Sequence, residues 1–274
     1  GRAIGIAVAG IAMGSIVFAP LVQFLLDAYP WRIAIRLFCL ILLACTVPAA
    51  LLVVDRPSDR GLHPDGAASD PSRDGRPRDS APVSARTILT TPTFWLAAGA
   101  IAIVLSGLKG MVTNLAPLAL DQGIRGRDAA FLISIYGLCG LFAKLTFATF
   151  ADRFSPRVLM AISLFGFAAG MVVLAQTGLG YGALAGGVAM TGLFGGIMVP
   201  LQSLIVPRIF GREVVGRAMG LLSMVISCAL LTSPPLFGLI FDLAGSYAGV
   251  FIAFAVVACL MAIGTRRIRL RPSM

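Results

Sequence analysis

What most restricts this chain is a series of uninterrupted apolar runs, each long enough to cross the roughly 30 Å hydrocarbon layer of a bilayer as a helix of about 20 residues. Eight such runs can be counted between charges and turn residues: about Ile4–Leu26, Trp31–Val54, Phe94–Leu120, Ala130–Phe150, Val158–Ala175, Ala183–Val206, Ala218–Leu243 and Tyr247–Gly264. Backbone N–H and C=O groups find no water in hydrocarbon, so a run of this length has to close its hydrogen bonds within itself as a helix. The expected fold class is therefore an all-α membrane protein with eight transmembrane helices. With 58% hydrophobic and 12% charged residues among 274, the chain is too apolar for a soluble domain of ordinary composition.

The net charge of +10 does not point to nucleic acid, because the basic residues lie between the apolar runs and do not gather on one polar face with exposed aromatics. They set orientation instead. Arg153, Arg157, Arg208, Arg212, Arg217, Arg266, Arg267, Arg269 and Arg271 all fall on one side, with Arg32, Arg36, Arg125 and Arg127 on the other. The first side is expected to be cytoplasmic. That side also carries Asp55 to Arg86, a stretch of Arg, Asp, Ser, Pro and Gly with almost nothing to bury in a core, expected to be disordered. It divides the chain into 1–54, a linker over 55–91, and a six-helix segment with a short basic tail over 92–274.

Catalysis has no foothold in these residues. The single histidine, His63, is in the linker, and neither HExxH nor GxSxG occurs. The five cysteines sit in apolar runs without CxxC spacing and are expected to be small core residues, so no metal and no cofactor is expected.

An internal repeat bears on the architecture. The segment opening with Gly1-Arg2-Ala3 aligns without a gap on that opening with Gly216-Arg217-Ala218; Pro20-Leu21 then meets Pro235-Leu236, and Asp27 meets Asp242. If the first two runs repeat the last two, the four runs between them have counterparts before Gly1, and a complete protein has twelve helices in two halves joined by the linker. The four earlier helices are then partners that this chain lacks.

That arrangement, and the motifs within it, resemble the major facilitator superfamily. Lys144 to Arg157, containing Ala151-Asp152-Arg153 and Ser155-Pro156-Arg157, is similar to that superfamily's cytoplasmic loop motif Gly-x-x-Ala-Asp-Arg-x-Gly-Arg-Arg, with Ala148 and Ser155 in place of its two glycines. Pro30-Trp31-Arg32 and the segment from Pro234-Pro235 to Tyr247 resemble its helix corners. The resemblance implies an incomplete major facilitator fold, with the eight runs as helices five to twelve of twelve. It implies a multi-pass protein of the cell membrane, by expectation a bacterial inner membrane, and a conformational role for Asp152, Arg153 and Arg157.

Ionisable groups inside the hydrocarbon are functional candidates. Lys109 lies near the middle of its run, and Ser106 and Thr113 are expected to share its helix face as a polar stripe contacting substrate. Lys144 is nearer the inner end, with Gly137 and Gly140 beside it. In the monocarboxylate and oxalate/formate branch of the superfamily a basic residue here binds the substrate carboxylate, and the resemblance carries that role to Lys144. The expectation is a secondary transporter of a small organic anion such as a carboxylate, working by alternating access. Efflux of a drug or amphiphile, or a receptor or scaffold without transport, are the alternatives. Small-residue pairs, Gly1/Gly5 and Gly10/Gly14 in the first run, Gly182/Gly186 and Gly192/Gly196 in the sixth, are expected at helix contacts. Pro200 and Pro234-Pro235 remove backbone donors and are expected to kink a helix or mark a gate.

Overall fold

The computed structural model describes residues 21, 24–52, 84–121, 123–124, 126–150, 154–176, 180–211 and 214–267. Every regular element among them is helical: α1 Trp31–Leu52, α2 Ala85–Leu89, α3 Pro92–Asp121, α4 Gly126–Phe150, α5 Pro156–Leu174, α6 Gly180–Gly196, α7 Met198–Phe210, α8 Val215–Ala244 and α9 Ala248–Gly264, with a 3-10 turn at Thr265–Arg267. Among the described residues, five segments are long and apolar enough to cross a membrane by length and composition: Trp31–Leu51, Pro92–Asp121, Pro156–Leu174, Gly180–Phe210 and Val215–Ala244. Most of the first expected run, and Asp152 and Arg153, lie outside the described residues.

The chain divides into two units, with α1 in Ala7–Ala81 and α2 to α9 in the segment from Pro82 onward. Helix α1 starts at Pro30, whose carbonyl accepts from the N–H of Ile33 and Ala34 at 2.8 and 3.0 Å. At its start the Arg32 guanidinium lies 4.4 Å from the Trp31 ring centroid, a cation-π pair of the type suited to a membrane interface.

In the second unit α3, α4, α6, α5 and α9 touch in a closed ring, and α8 flanks the ring along α3. Lipid gives helices no hydrophobic reason to associate, so close packing has to hold them together. Glycine supplies it. A Cβ on Gly107 of α3 would lie 2.7 Å from Phe167 of α5 and 2.8 Å from Phe254 of α9; Gly110, one turn on, lies directly under Ser233 and Phe237 of α8. Phe237 then meets Phe251 edge to face at 5.5 Å. Between α5 and α6 the approach is backbone to backbone, since a Cβ on Gly170 would be 2.9 Å from the Thr191 nitrogen and 3.1 Å from the Gly187 oxygen.

Two expectations, on the linker and on the cysteines, need correcting. The linker is not structureless up to residue 91: Ser84 caps α2 by accepting the Arg86 N–H at 3.3 Å, Ile88 is 2% exposed, and the Trp95 indole donates to the Leu89 carbonyl at 2.7 Å. One buried isoleucine and two hydrogen bonds suffice to fix a turn of helix against α3. The sixth run remains one apolar segment, Gly180–Phe210, with the interruption expected at Pro200: α6 and α7 meet at a turn at Ile197, because Pro200 has no N–H to return to the Gly196 carbonyl. The cysteines are not core residues: Cys39, Cys45 and Cys228 are exposed, Cys139 and Cys259 are partly so, and all are free thiols. In contrast to Pro200, Pro234 and Pro235 lie within the unbroken helix α8.

Candidate functional site

Two glycines, Gly195 and Gly196, end α6 next to the turn at Ile197. Gly195 packs on α3, where a Cβ would stand 2.6 Å from Leu108 Cδ1. Its neighbour Gly196 packs on α4, where a Cβ would stand 3.0 Å from Gly140 Cα and 3.1 Å from Ala143 Cβ. Lys109 follows Leu108, and Lys144 follows Ala143. Lys109 and Lys144 are thus each next in sequence to a residue packed on this glycine pair, on helices that touch each other. Lys109 is exposed and Lys144 half-exposed, and neither has an ion-pair or hydrogen-bond partner among the described residues.

Ser106 and Thr113, expected on one stripe with Lys109, have separate surroundings. Ser106 is 4% exposed; its hydroxyl donates to the Ile103 carbonyl at 3.3 Å, and its own carbonyl accepts from Ser233 Oγ of α8 at 2.6 Å. It joins α3 to α8. Thr113 is exposed, as is Lys109. Asn114, which the sequence did not single out, is half-buried and donates from Nδ2 to the Gly110 carbonyl at 2.9 Å. A polar side chain inside an apolar run was the available signal. The exposed face of α3 around these groups includes Lys109, Thr113 and Pro117.

Of the loop motif, Arg157 is described. Ser155 caps α5 by accepting the Val158 N–H at 3.4 Å, with Pro156 in the first turn, where a missing N–H does no harm. Arg157 is half-buried, and its Nε is buried without a hydrogen-bond partner among the described residues.

Of the expected glycine pairs, Gly192 and Gly196 face α4: a Cβ on Gly192 would be 2.9 Å from the Tyr136 carbonyl oxygen. At Gly182 and Gly186 a Cβ would meet no packing partner within 4 Å among the described residues. The pairs in the first run lie outside the described residues.

Comparison with known proteins places this site in a family context. The sequence profile described as Major Facilitator Superfamily matches residues 1–125 and 100–273. The chain is 27% identical over 281 residues to Monocarboxylate transporter 12-B of Danio rerio, covering 93% of this chain and 58% of that protein. It is 30% identical over 258 residues to Monocarboxylate transporter 11 of Mus musculus (91% and 55%), and 29% identical over 251 residues to Monocarboxylate transporter 4 of Rattus norvegicus (90% and 52%). The chain thus spans little more than half the length of these relatives. All three are vertebrate proteins, so they lend no support to a bacterial inner membrane.

Proposed function

The chain belongs to the Major Facilitator Superfamily, and from that premise we propose that the complete protein is a secondary transporter of a small organic anion such as a carboxylate, working by alternating access. In this reading its spans are helices five to twelve of a twelve-helix fold, residues 92–274 are the second six-helix half, and the linker and the carboxy-terminal tail face the cytoplasm. The observation that carries the reading is the pair of lysines on the touching helices α3 and α4, each next in sequence to a residue packed on Gly195-Gly196. An ammonium in a membrane span requires a counter-charge, and neither Lys109 nor Lys144 finds one among the described residues. A substrate carboxylate supplies that charge. The printed names of the relatives, monocarboxylate transporters, support the same substrate class.

Glycines on both sides of the α4 contact give a smooth surface on which α6 and α4 can move as the site opens to one side and then the other. Asp152, Arg153 and Arg157 act as the inner-face latch between those states. The test is uptake of radiolabelled monocarboxylates by proteoliposomes holding the complete protein, with Lys109→Ala alongside. Carboxylate uptake is expected to fall to background in the variant; uptake equal to wild type rules out the anion-binding role.

A further inference from the structure

We propose that the end of the second unit at which α3 begins holds the phosphate of an anionic glycerophospholipid, whose headgroup compensates a set of arginines gathered there. This site is separate from the two lysines and does not depend on what they bind.

Five elements meet at this end. The Phe94 ring of α3 lies 6.1 Å from the ring of Phe210, the last residue of α7. A Cβ on Gly264, the last residue of α9, would stand 3.1 Å from Leu96 Cδ2 of α3, and the 3-10 turn that follows touches α3 and α5. Helix α2 is tied to the same place by the bond from the Trp95 indole to the Leu89 carbonyl. Along α5, Gly170 lies against Gly187, whereas Ser163 donates to the Phe194 carbonyl, so α5 runs antiparallel to α6 and begins on the α7 side. Four of these elements bring a cation: Arg86 from α2, Arg157 from the first turn of α5, Arg208 from the last turn of α7 and Arg266 from the 3-10 turn.

Among the described residues of this unit, the carboxylates are all at the other end. Asp121 closes α3, Asp128 is in the first turn of α4 and Asp242 is near the end of α8; the first and last of these both act on the Tyr247 phenol. None of Arg86, Arg157, Arg208 and Arg266 has an ion-pair partner among the described residues. Arg157 and Arg208 are half-buried, and Arg157 Nε is buried without an acceptor. A guanidinium in a partly dry setting is unfavourable until an acceptor reaches it, and phosphate oxygens match its planar fork.

The setting selects a lipid as the source of that phosphate. Trp95 is exposed at this end, and an amphipathic indole of this kind belongs at the level of the headgroups. The arginines around it are then at the depth of the lipid phosphates, where anionic headgroups attract basic side chains. The nearest stretch of chain, residues 55–81, has six aspartates and five arginines, so it brings almost no net negative charge of its own.

The experiment follows thermal unfolding of the complete protein in detergent while phosphatidylglycerol or phosphatidylcholine is added to the micelles. Wild type is compared with the double variant Arg157→Gln/Arg208→Gln and with Arg127→Gln, a change in the first turn of α4 at the opposite end. A ligand of the native state raises its melting temperature, so phosphatidylglycerol is expected to stabilise the wild type by several degrees and phosphatidylcholine is not. One arginine beside an anionic headgroup contributes about fivefold in affinity, so the lipid fraction giving half the effect should rise about 25-fold in the double variant and change by less than about twofold in Arg127→Gln. In about 1 M salt, where screening acts within roughly 3 Å, the stabilisation of the wild type should be strongly reduced, a readout that needs no variant to fold. Equal stabilisation by the two lipids, an unchanged half-point in the double variant, an equal loss in Arg127→Gln or an effect indifferent to salt overturns the proposal. Stabilisation reproduced by inorganic phosphate without lipid overturns the lipid as the occupant and assigns the arginines to a soluble phosphate.

Discussion

Replacing Gly196 by alanine puts a methyl group into the tightest part of the contact between α6 and α4. The new Cβ would lie 3.0 Å from Gly140 Cα, 3.1 Å from the Gly140 oxygen and 3.1 Å from Ala143 Cβ. Carbon atoms in good contact stand about 3.5–4.0 Å apart, so α4 has to retreat by roughly half an ångström, and no flexible side chain is there to yield in its place. Overpacking of this kind destabilises by about 1–3 kcal/mol. Alanine's better helix propensity returns up to about 1 kcal/mol of that.

The opposite substitution across the same contact behaves differently. A Cβ on Gly140 meets the Gly192 oxygen at 3.7 Å, an ordinary distance, and one on Gly186 meets nothing within 4 Å. Gly140→Ala and Gly186→Ala should therefore keep the propensity gain without the wedge, leaving them about 1–3 kcal/mol more stable than Gly196→Ala. The assay is thermal unfolding of the complete protein in detergent, with the three variants measured side by side. Gly196→Ala is expected to melt lowest, several degrees below the other two. It should also lower uptake, because the displaced stretch of α4 carries Lys144. A Gly196→Ala protein that melts with or above Gly140→Ala would refute the packing account of the contact between α6 and α4.

Ser233→Ala removes the 2.6 Å hydrogen bond to the Ser106 carbonyl and should destabilise by about 0.5–1.5 kcal/mol, a drop visible in the same melting assay; no change would mean that Ser106 and Ser233 do not tie α3 to α8. Lys144→Gln is expected to cut carboxylate uptake by about tenfold, one charge-assisted contact's worth, while Lys144→Arg retains it; equal rates for all three proteins would remove Lys144 from the site. In the turn before α9, Tyr247 is 5% exposed, and burial first, then the Asp121 and Asp242 carboxylates, hold its phenol above the usual value. A raised folded-state value means that the stabilisation is complete below the unfolded value of about 10 and is lost as pH rises through the folded one. Melting temperature should thus fall at alkaline pH in the wild type and fall less in Tyr247→Phe; parallel curves would show that Tyr247 does not titrate in that range.

Several features could be read from residues alone because each depends on a local property of the chain. An apolar run has to become a helix in lipid whatever its neighbours are, so the second run, read as Trp31–Val54, appears as Trp31–Leu52, and the third, read as Phe94–Leu120, as Pro92–Asp121. Lys109 and Lys144 stood out because a charge within such a run is rare and unfavourable. Pro200 announced a disturbance in the sixth run in the same local way. What could not be read locally is that Gly195 and Gly196 beside it lie against Leu108 and Ala143, which are remote in sequence.

What the sequence by itself determined is which segments are long and apolar enough to cross a membrane and which residues place a charge within them. The tertiary structure decided which face of each helix meets protein. Gly182/Gly186 and Gly192/Gly196 are the same motif on one helix, yet one pair is open and the other packed; Ser106 and Thr113 are two turns apart on α3, yet one is sealed against α8 and the other exposed. In a soluble protein the polar face of a helix identifies itself by composition. In lipid every face is apolar, so facing is set by steric fit between small residues and the particular side chains that come to rest on them, and that fit exists only once the helices are assembled.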